Sequence, residues 1–529
     1  MVPAASTSSA RPKSTTALEF LAFVVAGGVL SVLKREDVNF DLRNYHYYNP
    51  WAWLNDRIGW DLAPAQLQSY INPLLDLPFF LLVQADVSPR LVGFVMGLPC
   101  GAALAFFFWT VRYVCRNLEK RDRRLILTLS LLVGMTGAAG VALIGSTMNE
   151  WHVAALVLAS VYLVVSSRGE AARHALAGFL AGAVFGLKFT AGPYGIALGV
   201  MAAMRHDVDI GRRLRAVTAM AAGGAAGFAA AYGYWGYVLW REFANPFYPF
   251  FNGIFRSPDW FPESFRDDRY GAGSFSDWLL LPFRLAVHGT VASDAPQRDP
   301  RLAILVVVVL ALAATSTRLH GLLRLPARAP APTTEALRDL GIFWVCAFVL
   351  WYAVFGVYRY FIPLELLGSF LIVYGLWRLF PPVKWRSVVL ACVCLGIAGY
   401  TDRPKWGRKR FGDSYFDVRA PALPKGSLVL MYGDKGLSYL LPFLGTEHRY
   451  VRLTSNLTGP SQKHGMARRI EKAIREHDGP IFVIRQTVED GTLRGLLLFY
   501  GLAEAEPPRC LQLRSVVDND IQLCAVKDL

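Results

Sequence analysis

The chain has 529 residues, of which 54% are hydrophobic and only 18% charged, with a positive mean hydropathy. Soluble domains carry about 25% charged residues, so this balance excludes an ordinary soluble protein and points to a bilayer. The formal charge of +15 would suit nucleic acid, but much of it lies in short basic runs between apolar segments, which read as topology anchors rather than a nucleic-acid surface.

Residues 1–16, MVPAASTSSARPKSTT, are polar and are expected to be a disordered cytoplasmic terminus. The apolar stretch behind them lacks a small-residue cleavage site and reads as an uncleaved first helix. Apolar windows at 17–33, 91–114, 125–145, 151–167, 174–190, 192–204, 215–240, 302–316, 338–356, 360–380 and 386–400 predict an α-helical polytopic membrane domain over 17–400. That makes about eleven transmembrane helices. LLDLPFFLLV (74–83) is too short to cross and contains Pro78, so it reads as a re-entrant or interfacial helix.

Lys and Arg counts in the short connections set the orientation. Basic residues gather in 115–124, 168–173, 205–214, 317–337 (Arg318, Arg324, Arg328) and 381–385 (Lys384), whereas STMNE (146–150) and GVYR (356–359) carry few. The expected arrangement has the N-terminus inside and 34–90, 241–301 and the tail after 400 outside. Cys100, Cys115, Cys346, Cys392 and Cys394 sit in or beside apolar runs without metal-ligand spacing and read as small packing residues.

Three clusters fall on the expected outer side. The first is the opening loop FDLRNYHYYNPWAWLNDRIGWDLAPAQLQSYINPLLDLPFF (40–80). An interfacial belt explains many of its rings, but not Asp41, Arg43, Asn44, His46, Asp61, Gln66 and Gln68. Rings interleaved with carboxylates and amides suit a sugar, stacking on its apolar faces and binding its hydroxyls. The second is GSTMNEWH (145–152), with Glu150 and His152 near membrane depth. An ionisable group there is costly unless paired or facing a wet cavity. The plainer alternative is a helix cap from Ser146, Thr147 or Asn149, with Glu150 on the helix dipole. The third pairs LKFTAGP (187–193) with VYRYFIP (357–363), placing Lys188 and Arg359 at outer helix ends. Each reads either as a snorkelling cation or as half of a phosphate grip.

From about residue 415 strands and helices alternate, predicting a C-terminal extracytoplasmic α/β domain within 401–529. GDKG (433–436) lacks the glycine spacing of a nucleotide loop and reads as an ordinary turn. Cys510 and Cys524 flank two strand-like runs. If that end faces an oxidising compartment they form a disulfide across a hairpin, although spacing alone does not establish it. No HExxH, CxxC, GxSxG or Walker-type run is present, so the sequence gives no support to a zinc protease, thiol redox enzyme, lipase or ATPase.

In order and sidedness these features resemble the GT-C superfamily of membrane glycosyltransferases. The matching stretches are DLRNY at Asp41, NPLLDLPFFLL (72–82), NEWH at Glu150, AGFLAGAVFGLKFTAGP (177–193) and RYFIP (359–363), followed by a soluble α/β domain. The resemblance implies inverting transfer of a hexosyl or pentosyl group from a polyprenyl-(di)phosphate donor to a glycan, lipid or protein acceptor. It would occur at the outer face of a bacterial cytoplasmic membrane. It further implies Asp41 as base with Glu150 as catalytic partner, Arg359 and Lys188 on the donor phosphate, and Arg43, Tyr45, His46, Asp61, His152 and Tyr358 as substrate contacts. Many members carry adjacent carboxylates where Asp41 stands alone, which leaves Glu36 and Asp37 as an alternative source of the base. A divalent cation (Mg, Mn or Ca) is compatible with the resemblance, although no oxygen cage is legible. The aromatic stretch 245–271 is expected to close over donor or acceptor. The competing classes are a transporter or flippase of a lipid-linked saccharide, with polar groups near the bilayer midplane, and a non-catalytic envelope scaffold.

Overall fold

A computed structural model describes residues 13–265, 267, 269–316, 335–380, 384–460, 462–486, 491–507 and 509–528. Most of the expected N-terminal tail and most of the basic loop 317–337, with Arg318, Arg324 and Arg328, lie outside the described residues. Every apolar window of the sequence becomes helix. Among the described residues five helices are long and apolar enough to cross a membrane: Thr16–Leu33, Pro89–Val114, Ile210–Phe243, Glu335–Val354 and Tyr358–Leu379. Another five apolar helices are shorter, among them Glu150–Val165 and Ala171–Leu187. The first helix begins at Lys13, inside the stretch expected to be disordered. The short apolar run at 74–83 is a helix at Leu77–Gln84, with Pro78 in its first turn, where no backbone N–H is required.

Small residues bring the helices together. A Cβ at Gly182 would stand 1.9 Å from the Gly224 carbonyl oxygen, and one at Gly101 2.1 Å from that of Phe23. The backbones of Ala171–Leu187 and Ile210–Phe243 therefore touch directly, as do those of the first helix and Pro89–Val114. Close approach of this kind replaces the hydrophobic driving force that is missing between helices in lipid.

One expectation is corrected. The window 125–145 is not a continuous span: helix Lys120–Gly134 stops and a separate short helix runs Ala138–Ala142. The cause is Glu365 of the late helix, whose carboxylate accepts from the N–H groups of Ala139 (3.1 Å) and Gly140 (2.9 Å). Its carboxyl group would lie 1.9 Å from a Cβ at residue 137, so only glycine fits. Arg301 closes the other side, pairing with Asp299 at 2.8 Å and donating to the Val133 carbonyl and to the hydroxyls of Thr136 and Thr401. A broken backbone at membrane depth is tolerated when side chains satisfy its freed groups in this way.

The C-terminal domain is a six-stranded mixed sheet. Arg449–Arg452, Leu428–Met431 and Ile481–Gln486 run parallel, and Ile521–Asp528 adds antiparallel to the last of these. Leu502–Glu504 and Cys510–Leu513 both pair with Ile521–Asp528. Cys510 stands opposite Cys524 in that ladder, and the two are joined as a disulfide.

The domain is bound to the first loop rather than tethered behind it. Leu62 adds to the edge strand, donating to the Tyr450 carbonyl and accepting from the Arg452 N–H, so it covers an edge that would otherwise invite pairing. Its apolar core is shared with Leu62, Tyr70, Trp235, Tyr248 and Trp260. In the stretch 245–271 Tyr248 is fully buried and stacked on Phe243, and Trp260 is buried, whereas Phe251, Ile254 and Phe255 are exposed. Beneath Leu62, Arg57 and Asp61 form a buried pair at 2.7 Å. Tyr48 donates to the carboxylate at 2.8 Å, and Arg57 also donates to the carbonyls of Thr446 and His448.

Removing one member of a buried pair strands the other charge, at a cost of about 3–5 kcal/mol. Arg57→Met is expected to lower thermal stability in detergent by that amount. The double variant Arg57→Met with Asp61→Asn should recover part of it, as read by tryptophan fluorescence on heating.

Candidate functional site

The site forms where four chain segments meet beneath the α/β domain, and each segment has a local reason for its shape. Asn39 accepts from the Leu42 N–H at 2.9 Å and so starts the five-residue π-helical turn Leu42–His46. Wide turns of this kind recur at functional sites. Gly436 of the GDKG turn packs on this one, with no room for a Cβ against the Asn44 N–H and the Phe40 carbonyl. Lys435 of the same turn is taken by Asp520. GDKG is thus the packing turn that its spacing suggested.

The two cations arrive by one repeated device. Helix Ala171–Leu187 ends at Lys188, a single turn Phe189–Ala191 follows, and the next helix opens with Pro193. Likewise Arg359 sits in the turn Tyr358–Phe361, and the following helix opens with Pro363. In both places proline occupies a first helical turn at no hydrogen-bonding cost, and the tight turn before it aims the cation away from the helix axis.

Lys188 Nζ donates to Glu150 Oε1 at 2.5 Å and to the Met148 carbonyl at 2.6 Å. Arg359 Nη1 donates to Asp41 Oδ2 at 2.8 Å. Tyr360 lies under both cations, its ring centre 5.5 Å from Lys188 Nζ and 5.3 Å from the Arg359 guanidinium carbon. Burial opposes the charge on Asp41. Arg359, with Lys188, outweighs it and holds the carboxyl below the usual aspartate range. The Tyr45 phenol is pushed well above its ordinary value by burial, with Asp41 adding to the effect, so it stays protonated.

A second layer pins these groups. Asp37 Oδ2 accepts from the Thr147 N–H (2.8 Å) and hydroxyl (3.0 Å), from Ser146 and from Asn39. Glu36 pairs with Lys409 at 2.9 Å in a two-residue ribbon with Arg408–Lys409. These carboxylates, considered as an alternative source of the base, are occupied as ties between the first loop, the 146–147 turn and the chain after the last helix. The capping alternative for 146–149 gives way too. Asn149 makes no cap, adopts a left-handed backbone (φ 65°), and donates to Asp76 at 2.5 Å.

The structure thus brings together Asp41, Tyr45, His46, Glu150, His152, Lys188 and Arg359, and separates three other expected residues. Arg43 pairs with Asp518 of the C-terminal domain at 3.1 Å. Asp61 belongs to the buried Arg57 pair. Tyr358 is buried beside Asp299 and Glu365, and it is the neighbouring Tyr360 that faces the cations. The residue missed from sequence is Asp76, hidden in the apolar run LLDLPFF, where a lone carboxylate among Leu and Phe was the available signal. Among the described residues no group of three or more His, Cys, Asp or Glu side chains is gathered to ligate a metal. Asp41 and Glu150 are each already met by a cation, so the residues present do not fit a divalent ion.

The depressed Asp41 value carries a sign. Its pairing stabilises the fold above the ordinary aspartate range of about 3.9 and is lost as pH falls through the lower folded value. Wild type should lose thermal stability as pH falls below about 4, and Asp41→Asn should remove part of that slope. Melting curves in detergent at stepped pH measure both.

No protein-family model matches the sequence, and no curated protein matches it. Among solved structures it is similar to ArnT from Cupriavidus metallidurans, crystallised bound to undecaprenyl phosphate, at 12% identity and a TM-score of 0.53. The match covers 97% of this chain and 98% of that one, helices and α/β domain together. The chain therefore shares the fold of that protein over nearly its whole length.

Proposed function

We propose that the protein is a membrane glycosyltransferase that moves a sugar from a polyprenyl-phosphate or diphosphate donor to a hydroxyl of an envelope glycan, lipid or protein. The observation that carries this reading is the convergence of Lys188 and Arg359, from separate helix ends, on one buried cluster with Asp41 and Glu150. A lipid phosphate competes well for such cations, Arg by paired hydrogen bonds and Lys as a point charge. The similar fold of a protein crystallised with undecaprenyl phosphate supports the choice of lipid.

In this reading Arg359 and Lys188 stabilise the phosphate as it leaves, at the place where negative charge grows. As the phosphate draws on Arg359, Asp41 turns toward the acceptor hydroxyl on the opposite face of the sugar, and inversion follows. Glu150 keeps Lys188 in place, and Tyr45, His152 and Tyr360 line the site. The cluster lies at helix ends beside the α/β domain, on the side that the basic-loop count places outside the cytoplasmic membrane. A transporter would need such groups at mid-depth along the helices, which favours the enzyme.

Transfer from labelled undecaprenyl-phosphate hexoses and pentoses in membranes tests the reading. Arg359→Met and Lys188→Met should each lower the rate about 100- to 1,000-fold, and Asp41→Asn and Glu150→Gln should also lower it strongly. Full activity in Asp41→Asn would remove it from the reaction. Movement of intact lipid without transfer would favour the transporter.

A further inference from the structure

One buried unit in the site has no role in the account above. His46 and Asn149 both meet a single carboxylate oxygen, Asp76 Oδ1, at 2.7 and 2.5 Å. All three residues are buried. An ionised carboxylate only accepts, so with Asn149 donating to it, the His46 Nδ1 must carry a hydrogen and donate as well. In the neutral ring the other nitrogen, Nε2, then bears the lone pair. That Nε2 is buried and has no hydrogen-bond partner among the described residues. A buried polar atom without a partner costs free energy, and an oriented one that persists in the fold suits a group brought in by a ligand.

Resting on the transferase reading, we infer that His46 Nε2 accepts the proton of the acceptor hydroxyl during transfer. The acceptor oxygen bonds to the anomeric carbon as the bond from that carbon to the phosphate oxygen breaks. The electron pair departs on the lipid phosphate beside Arg359 and Lys188. The proton ends on His46 as imidazolium, its charge balanced by Asp76 behind the ring, and passes to water as product leaves. Asp41 is less suited to keep the proton, because its Oδ2 is held by Arg359 at 2.8 Å and its proton affinity is lowered. It orients the hydroxyl and faces the positive charge that develops on the sugar.

The charged and titratable groups around the ring come from every segment of the site. Asp41 and Tyr45 lie on its own turn, Tyr45 with its ring centre 4.0 Å away, and Asp76 lies behind. His152 approaches from the next helix, and Lys188 and Arg359 act on the same Asp41.

The test is the pH profile of transfer from undecaprenyl-phosphate sugars. Wild type should lose rate on the acid side between about pH 8 and 5, where a histidine base takes up its proton. His46→Gln should lower the rate about 100-fold and flatten that limb while still binding undecaprenyl phosphate. Asp76→Asn should move the limb to lower pH, since the ring loses its supporting charge. Asp41→Asn should lower the rate and leave the limb in place. A wild-type profile with no acid limb in this range overturns the inference without any variant. So does a limb that survives in His46→Gln or vanishes in Asp41→Asn. If wild type transfers no sugar at all, the transferase reading itself fails, whereas failure of His46 alone leaves wild-type transfer intact.

Discussion

Two largely buried cations set the terms for everything around them. Lys188 and Arg359 are both mostly withdrawn from water, and a charge so placed is stable only if it is met by opposite charge and by further hydrogen bonds. Glu150, Asp41, the Met148 carbonyl and the Tyr360 ring meet those needs. Met148 and Glu150 share one turn, Tyr360 follows Arg359, and Asp41 and Lys188 stand on stretches of their own, so satisfying the cations assembles four segments at one point. The same demand makes the cluster suited to phosphate, because a ligand with several oxygens can take over the carboxylates' part.

The carboxylates in turn are not left to find their own positions. Asp37 draws the 146–147 turn toward the first loop, and Asp76 draws Asn149 and His46 toward the short helix. Their work is to hold the turn from which Met148 and Glu150 project. The α/β domain completes the enclosure through contacts that are local in space and remote in sequence. Arg43 reaches Asp518, Gly436 seats on the Leu42–His46 turn, and Leu62 joins the sheet edge.

Much of this was legible in the sequence, for reasons that are physical. Helices in lipid must be apolar along their length, so their windows show. A charge at the end of such a window is conspicuous, which is why Asp41, Glu150, Lys188 and Arg359 stood out. What did not show was anything decided by a partner far along the chain. Asp61 looked like a sugar ligand until Arg57, His448 and Tyr450 enclosed it. Tyr358 and Tyr360 are two residues apart on a tight turn, and only the fold decides which faces the cations. The break at 135–137 depends on Glu365, more than two hundred residues later, and no local pattern in TGAAG reveals it. Asp76 was passed over because its neighbours announce a lipid-facing helix.

The break and the site are two answers to one problem. Where Glu365, Asp299 and Arg301 meet, the opposing groups close on one another and on the freed backbone N–H groups of a short helix, so that knot holds the helices and offers little to a ligand. Around Asp41 the closure is partial. His46 Nε2, Asn149 Oδ1, His152 Nδ1 and Arg359 Nε are all buried without partners among the described residues, and they lie in the same cluster. Each unmet atom weakens the folded state, and atoms of the same kind occur elsewhere, at Trp377 and His477 for example. The four named here stand beside two cations and two carboxylates, on a surface whose hydrogen bonds a bound ligand would complete. A sugar phosphate and an acceptor hydroxyl between them supply both kinds of group that surface lacks, acceptors for the arginine and donors for the imidazoles and the amide oxygen.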